Sequence, residues 1–412
     1  AGGAGSPPSV ADACSAVAGS TPQAANQRPS SPHRVQRTMT PVVARPKSGT
    51  VVRLARWEYP GWVCRRLLLL LSTLALLSCG DDDAPTDAGV DAFTPDLGSD
   101  AGQDAGPLPE CGTESPLALS QCVDRTRYDA DLEFVATERV PETAHWMAVQ
   151  DLCADTLEDL GFTVERHDYG TGVNVLGVRE GTTEPERRVL VGAHYDHIPG
   201  CEGADDNASG VAATLETARV LAQRDYPRTL TVACWDEEER GLIGSRAYVD
   251  REVAAGRTFD IFFNYEMIGY YTDEPETQNF PDGFELIFRD AIAELEANDF
   301  RGDFIALIGD EFASESIAAL DGYGDRLGMP AVPIEVAAVL KDNPSLSDLR
   351  RSDHSPFWLA DIPAIMITDT SEFRYGAYHC RDGDDLVENL DTERASLVTA
   401  STVAAAAEAL GL

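Results

Sequence analysis

The sequence predicts an α/β fold of three layers, α/β/α, in which helices cover both faces of a central mixed, largely parallel sheet. Three observations predict it. Short β-rich runs alternate with segments of helical period through most of residues 113–412. Several runs, 188–193 and 229–235 foremost, are apolar almost throughout, as strands buried on both faces are. The polar clusters fall just past the ends of those runs, where open α/β sheets bind their ligands.

The elements follow in order. From 143 to 160 the apolar residues Trp146, Val149, Leu152, Leu157 and Leu160 recur at helical spacing, and Gly161 supplies the stop. Residues 162–166 alternate like a strand, 173–178 and 188–193 are two more strands, and 209–223 is a helix. A buried strand over 229–235, a helix over 241–250 and a strand over 259–265 continue the alternation. A strand at 304–308, a helix at 314–327, strands at 332–339 and 364–368, and a closing helix at 392–410 complete it.

Composition narrows the function classes. Among 412 residues, 70 are acidic and 32 basic, a formal charge of -38, which argues against nucleic acid as a partner because phosphates demand Lys and Arg. Only Lys47 and Lys341 are lysines. The acidic balance favours solubility.

The first part of the chain reads differently. Residues 65–79 combine Arg65 and Arg66, a short leucine-rich run and small residues before Cys79, which is an export signal too short to span a bilayer. Its end, Leu76-Leu77-Ser78-Cys79, resembles the lipobox of bacterial lipoproteins, with Cys79 as the lipidated residue; the plainer alternative is a signal peptide that contains a cysteine. Residues 1–64 then precede the signal as a non-native or disordered extension, with the true start further in. Residues 80–112 are rich in Asp, Ala, Gly and Pro, and neither Lys nor Arg occurs from Gly80 to Asp124, which predicts a disordered, self-repelling tether. The expected location is outside the cytoplasm, as a cell-envelope lipoprotein or a secreted or periplasmic protein. Residues 113–412 are expected to form one folded domain.

Nine cysteines occur without a CxxC pair, so a cysteine-rich zinc module is not expected. Export permits disulfides, and Cys111 with Cys122, or either with Cys153, would clip the domain entry; Cys234, inside an apolar run, reads as a buried thiol.

The chemistry concentrates in residues able to hold cations: His194, Asp196, Asp205, Asp206, Glu237, Glu238, Glu239, Glu266, Asp353, His354 and His379. Each alone has a plainer reading. A lone histidine such as His167 is more often surface or core, and the acidic run 236–239 suits a solvated helix start. Gathered at successive strand ends, they favour a metal site, because clustered carboxylates are costly unless a cation neutralises them.

The blocks GAHYDH (192–197), GADDNASG (203–210), DEEERGLIGS (236–245), NYEMIGYY (264–271), SDHSPFW (352–358) and AYHC (377–380) occur in an order that resembles the co-catalytic zinc peptidases of metallopeptidase family twenty-eight, clan MH. The resemblance implies two zinc ions. It assigns His194, Asp206 and Glu266 to one, and Asp206 as bridge, Glu239 and His379 to the other. It makes Asp196 the carboxylate that orients His194, Glu238 the general base and Tyr378 the residue that steadies the oxyanion. Glu266 stands where many relatives have Asp, and Asp353 and His354 belong to the site wall. The implied activity is a zinc-dependent exopeptidase acting on peptides, foremost an aminopeptidase. A glutaminyl cyclase, a carboxypeptidase using Arg350 and Arg351, and a non-catalytic binding module are the other readings of such a chain. Two departures from the family pattern are Cys201 and the segment Cys380-Arg381-Asp382-Gly383-Asp384-Asp385. Both cysteines lie on loops that the ligand set implied by the resemblance would bring together, which leaves two readings, a Cys201–Cys380 disulfide at the rim of the site or two unrelated thiols.

Overall fold

The computed structural model describes residues 108–412, all within one unit of the chain. The export segment, Cys79 and residues 1–107 as a whole lie outside the described residues. Eight strands are described: β1 Thr163–Asp168, β2 Val173–Arg179, β3 Glu184–His194, β4 Arg228–Trp235, β5 Ile261–Glu266, β6 Ile305–Asp310, β7 Ala331–Val336 and β8 Ala364–Thr368. They form one sheet in the order β1-β2-β4-β3-β5-β8-β6-β7. The central pairs β4·β3, β3·β5 and β5·β8 are parallel, as is β6·β7, whereas β1·β2, β2·β4 and β8·β6 are antiparallel. The sheet is thus mixed and parallel at its centre, as expected.

Burial explains the strand compositions. Every residue of β5 and β8, and all of β4 after Arg228, is buried, whereas β1 at the edge alternates between exposed and partly buried positions. Alternate residues feed two separate cores. Val189, Val191 and Ala193 of β3, with Ile365 and Ile367 of β8, pack on one side, while Leu190, Ala364 and Met366 pack on the other.

The first core is covered by α1 (Pro116–Ser120), α2 (Arg125–Val135), α3 (Ala144–Asp159), α4 (Gly210–Leu221), α8 (Ser314–Leu327) and α10 (Thr392–Ala409). The second is covered by α5 (Ile243–Ala254), α6 (Phe284–Ile287), α7 (Arg289–Ala297) and α9 (His354–Leu359). The helices on two faces make the three-layer α/β/α arrangement. Within the second core Phe357 of α9 lies against Phe262, with ring centroids 4.5 Å apart, and against Trp235 at 6.1 Å. Buried α10 carries Ser396, Thr399, Ser401 and Thr402, whose hydroxyls donate to carbonyls four residues back at 2.7–3.0 Å. A polar-looking helix is thereby satisfied without leaving the core.

Sequence and structure differ at several boundaries. Gly241 (φ 106°) and Leu242 (φ 60°) take left-handed backbone, so α5 starts two residues late and continues to Ala254. β7 stops at Val336 and gives way to a 3-10 turn at Ala338–Leu340; Pro333 is tolerated within it because β7 is an edge strand. The helices α2 and α7 were not expected: in α2 the exposed Phe134 blurs the periodicity.

Candidate metal centre

The strand ends converge at one edge of the parallel sheet. β3 ends on His194, β5 ends on Glu266, and the turn after β4 carries Glu238 and Glu239. Beyond β3 a tight turn at Ala204–Ser209 presents Asp206, and the Asp206–Asn207 peptide is cis. This turn is held from all sides. Asp385 accepts the backbone N–H groups of Asp205 and Asp206 at 3.0 and 3.1 Å. The fully buried Arg139 guanidinium donates to the carbonyls of Glu202, Gly203 and Asp206 at 2.6, 2.8 and 2.9 Å. Asn207 ties the turn to β5, donating to the Tyr265 carbonyl at 2.9 Å and accepting from Met267 N at 3.1 Å. Gly203 has φ 61°, and a Cβ there would lie 2.3 Å from the Asp206 carbonyl, so no larger residue fits.

The two oxygens of Asp206 face two different groups. Oδ1 lies 3.4 Å from His194 Nε2, which is also 3.4 Å from Glu266 Oε2. Oδ2 lies 3.1 Å from His379 Nε2, which is 3.2 Å from Glu239 Oε2. Ligand atoms around a tetrahedral zinc with bonds of about 2.0–2.1 Å sit roughly 3.3 Å apart, so both groups have the spacing of a zinc shell. Glu238 joins His194 and Glu266 in one group of possible ligands, and His197, Asp206 and Glu239 form another.

Electrostatics points the same way. Asp196, Asp206, Glu238, Glu239, Glu266 and Asp353 bring six carboxyl groups around three imidazoles, and His194 Nε2 and both ring nitrogens of His197 are buried without a hydrogen-bond partner. Burial raises Glu238 well above the usual carboxylate range, and Glu266, Asp353 and Glu239 add to it against the opposing pull of His194. Burial also works to raise Asp206, but hydrogen bonding with His194 and His379 outweighs it and holds the group well below its ordinary value. His379 resists charge through burial, yet Asp206 and Glu239 lift it to about 10. The donor set of nitrogen and carboxylate oxygen fits zinc.

Neighbouring groups hold these side chains in place. His194 Nδ1 bonds the Asp196 backbone carbonyl at 3.2 Å with the Asp196 carboxylate 3.6 Å away, and that carboxylate accepts the backbone N–H groups of Glu238 and Glu239 at 3.0 and 3.3 Å, which fixes the acidic turn beside the histidine. Ser352 donates to Glu266 and accepts from Asn264 Nδ2 at 2.7 Å. Tyr378 stacks on His379, its hydroxyl accepting from Arg351 at 3.1 Å. Arg351 in turn grips Glu372 with two bonds of 2.6 and 3.1 Å.

Not every acidic or histidine candidate joins the cluster. Asp205 turns away to accept from Gly269 N at 2.8 Å, Glu237 accepts from Thr171 at 2.6 Å and Arg240 at 2.8 Å, and His354 bonds the Leu349 carbonyl at 2.8 Å. Asp353 is fully buried beside the site and is pushed by burial to about 7. Sequence reasoning passed over His197, Arg139 and Asp385. His197 is signalled by its place in the GAHYDH block, whereas Arg139 and Asp385 carry no local signal.

Cys201 and Cys380 form a disulfide, with Cα atoms 5.8 Å apart, joining the loop before Asp206 to the residue after His379. Cys111 pairs with Cys122, and Cys153 and Cys234 are buried free thiols. Beside the cluster, Glu266 and Tyr378 share the lining of an apolar pocket of about 80 Å³ walled by Phe280, Phe284, Phe288, Leu295, Phe304 and Met366.

Comparison with known proteins identifies the family of the chain. The model of Peptidase family M28 matches residues 174–406. The uncharacterized protein YfbL of Escherichia coli is 32% identical over 203 residues, 46% of this chain and 58% of that protein. The probable lipoprotein aminopeptidase LpqL of Mycobacterium tuberculosis is 41% identical over 91 residues, 20% of this chain and 18% of that protein. The chain thus spans at most 58% of the length of these curated relatives. Among solved structures, LapB of Legionella pneumophila aligns with a TM-score of 0.55 at 18% identity, covering 74% of this chain and 77% of that one, a likeness of fold. With the family model spanning more than half of its residues, this chain belongs to Peptidase family M28.

Proposed function

We propose that the protein is a zinc-dependent aminopeptidase that holds two ions. The observation that carries this is the division of Asp206, whose Oδ1 faces His194 and Glu266 and whose Oδ2 faces His379 and Glu239. His194, Asp206 and Glu266 would hold one ion, and Asp206, Glu239 and His379 the other. Bound zinc supplies Lewis acidity toward the scissile carbonyl and makes an attacking water acidic near neutral pH. Glu238 takes that water's proton and returns it to the leaving amine. The Tyr378 hydroxyl, kept in place by Arg351, donates to the developing oxyanion.

The apolar pocket beside Glu266 and Tyr378 takes the first side chain of the substrate, which favours large apolar residues such as Leu or Phe. The acidic surroundings suit a free α-amino group and repel a terminal carboxylate. Arg351 is committed to Glu372, which weighs against its acting as a carboxylate clamp. Arylamides of leucine, N-acetyl-leucine and glutamine separate the activities: release from free-amine leucine alone supports the proposal, and cyclisation of N-terminal glutamine without hydrolysis refutes it.

Export and a lipid anchor at Cys79 complete the proposal, supported by the signal-like segment, two disulfides in the folded part, and a relative named as a lipoprotein aminopeptidase. Among the described residues no helix is long and apolar enough to cross a membrane.

A further inference from the structure

His197 stands apart from the ligands assigned above, yet it is more deeply buried than Glu239 or His379, with 1% of its surface exposed. Its Nδ1 lies 2.9 Å from Glu239 Oε1, close enough for a hydrogen bond but not aligned for one, and both ring nitrogens are buried without a hydrogen-bond partner. Glu239 Oε1 is likewise buried without a hydrogen-bond partner, so a small turn of the ring or the carboxylate pairs the two orphaned atoms. The other oxygen of Glu239, Oε2, faces His379 Nε2 at 3.2 Å and so belongs to the corner where the second ion would sit. His197 approaches Asp206 no closer than 4.0 Å, and does so at Oδ1, the oxygen turned toward His194 and Glu266. It therefore flanks the Glu239–His379–Asp206 corner at the outward oxygen of the glutamate. The ring is fixed there: its backbone N–H donates to the Arg139 carbonyl at 3.3 Å, its Cδ2 leaves no room for a Cβ on Gly203, and it meets His379 edge-on at 6.0 Å.

We infer that His197 is a positioning residue for the second metal position, donating its Nδ1 proton to Glu239 Oε1 so that the glutamate presents Oε2 alone. The inference rests on the two-ion reading above. A long, free carboxylate otherwise swings between one-oxygen and two-oxygen contact, and an imidazole donor on the outward oxygen removes that choice. Partners of this kind contribute about 10- to 100-fold to metal affinity. The effect is confined to one ion, because nothing on the His194–Glu266 side touches His197 within hydrogen-bond distance.

The test is zinc titration of the chelator-stripped full chain, followed by calorimetry and, with Co²⁺, by visible absorption. Asparagine at this position places its amide N–H close to where Nδ1 sits, whereas leucine fills the space without a donor. His197→Leu is expected to weaken the second binding step by about 10- to 100-fold with the first step unchanged. His197→Asn is expected to stay within about threefold of the native second step and to keep the Co²⁺ spectrum. If the leucine variant binds both ions as the native chain does, the inference is overturned. If asparagine loses as much affinity as leucine and the Co²⁺ spectrum changes with it, His197 is a direct ligand and the positioning role is overturned. A native chain that binds fewer than two ions contradicts the two-ion reading itself, and the inference falls with it.

Discussion

Glu238 occupies the position at which a single oxygen atom decides the outcome. Burial among Glu266, Asp353 and Glu239 makes it a strong proton acceptor, and no assigned metal shell depends on it. Glu238→Gln keeps the shape and removes the basicity, so kcat should fall by about 10²- to 10⁴-fold while zinc content stays the same; full activity in the metal-loaded variant would discard the assignment. His354 gives a pH prediction. Burial holds this imidazole down to about 4, against about 6.5 when exposed, so between those limits the unfolded chain binds the extra proton. Its neutral form contributes stability that is intact above pH 6.5 and lost as pH falls toward 4. The His354→Gln variant, which can still donate to the Leu349 carbonyl, should therefore lose less stability over that window than the native chain, by on the order of 3 kcal/mol. Denaturant titrations at pH 7 and pH 4.5 measure the difference, and parallel losses would refute it.

At the scale of elements, α9 keeps the Ser352–Asp353 segment against the site through its apolar face. Phe357 is fully buried among Phe262, Trp235 and Tyr248, and Phe357→Ala should cost about 3–5 kcal/mol of stability in a denaturation experiment. The Cys201–Cys380 bridge joins the loop before Asp206 to that of His379. Cys201→Ser with Cys380→Ser should lower the melting temperature and weaken the ion held by His379 more than the ion held by His194. Equal loss at both ions would show that the bridge serves the fold alone. Elements were legible where one periodicity was strong: β4, β8, α3 and α8 lie within a residue or two of where their patterns put them. The weakly patterned α2 and α7 were not. The clustering of His194, Asp206, Glu238, Glu239, Glu266 and His379 was legible because each residue sits in a distinctive sequence block, with His194, Glu238, Glu239 and Glu266 at or just past a strand end. Arg139 and Asp385 were not, because their work is done on backbone atoms of residues 203–206, distant in sequence, and only folding brings them together.

For the whole molecule, one sheet edge gathers residues scattered from His194 to His379 into a site with an excess of carboxylates, and two disulfides fix loops that the sheet itself does not hold. The strong net negative charge suits the proposed substrate, a peptide with a free amino terminus, over a polyanion. If Cys79 carries a lipid, Cys79→Ala should move the protein from the membrane fraction to the soluble one, with catalysis unchanged. The most direct test of the central claim couples metal content to cleavage. The purified protein should bind two zinc ions per chain and hydrolyse leucyl arylamide but not its N-acetyl derivative, with activity lost on chelation and restored by zinc. Equal cleavage of both substrates, or full activity in the metal-free protein, would contradict it.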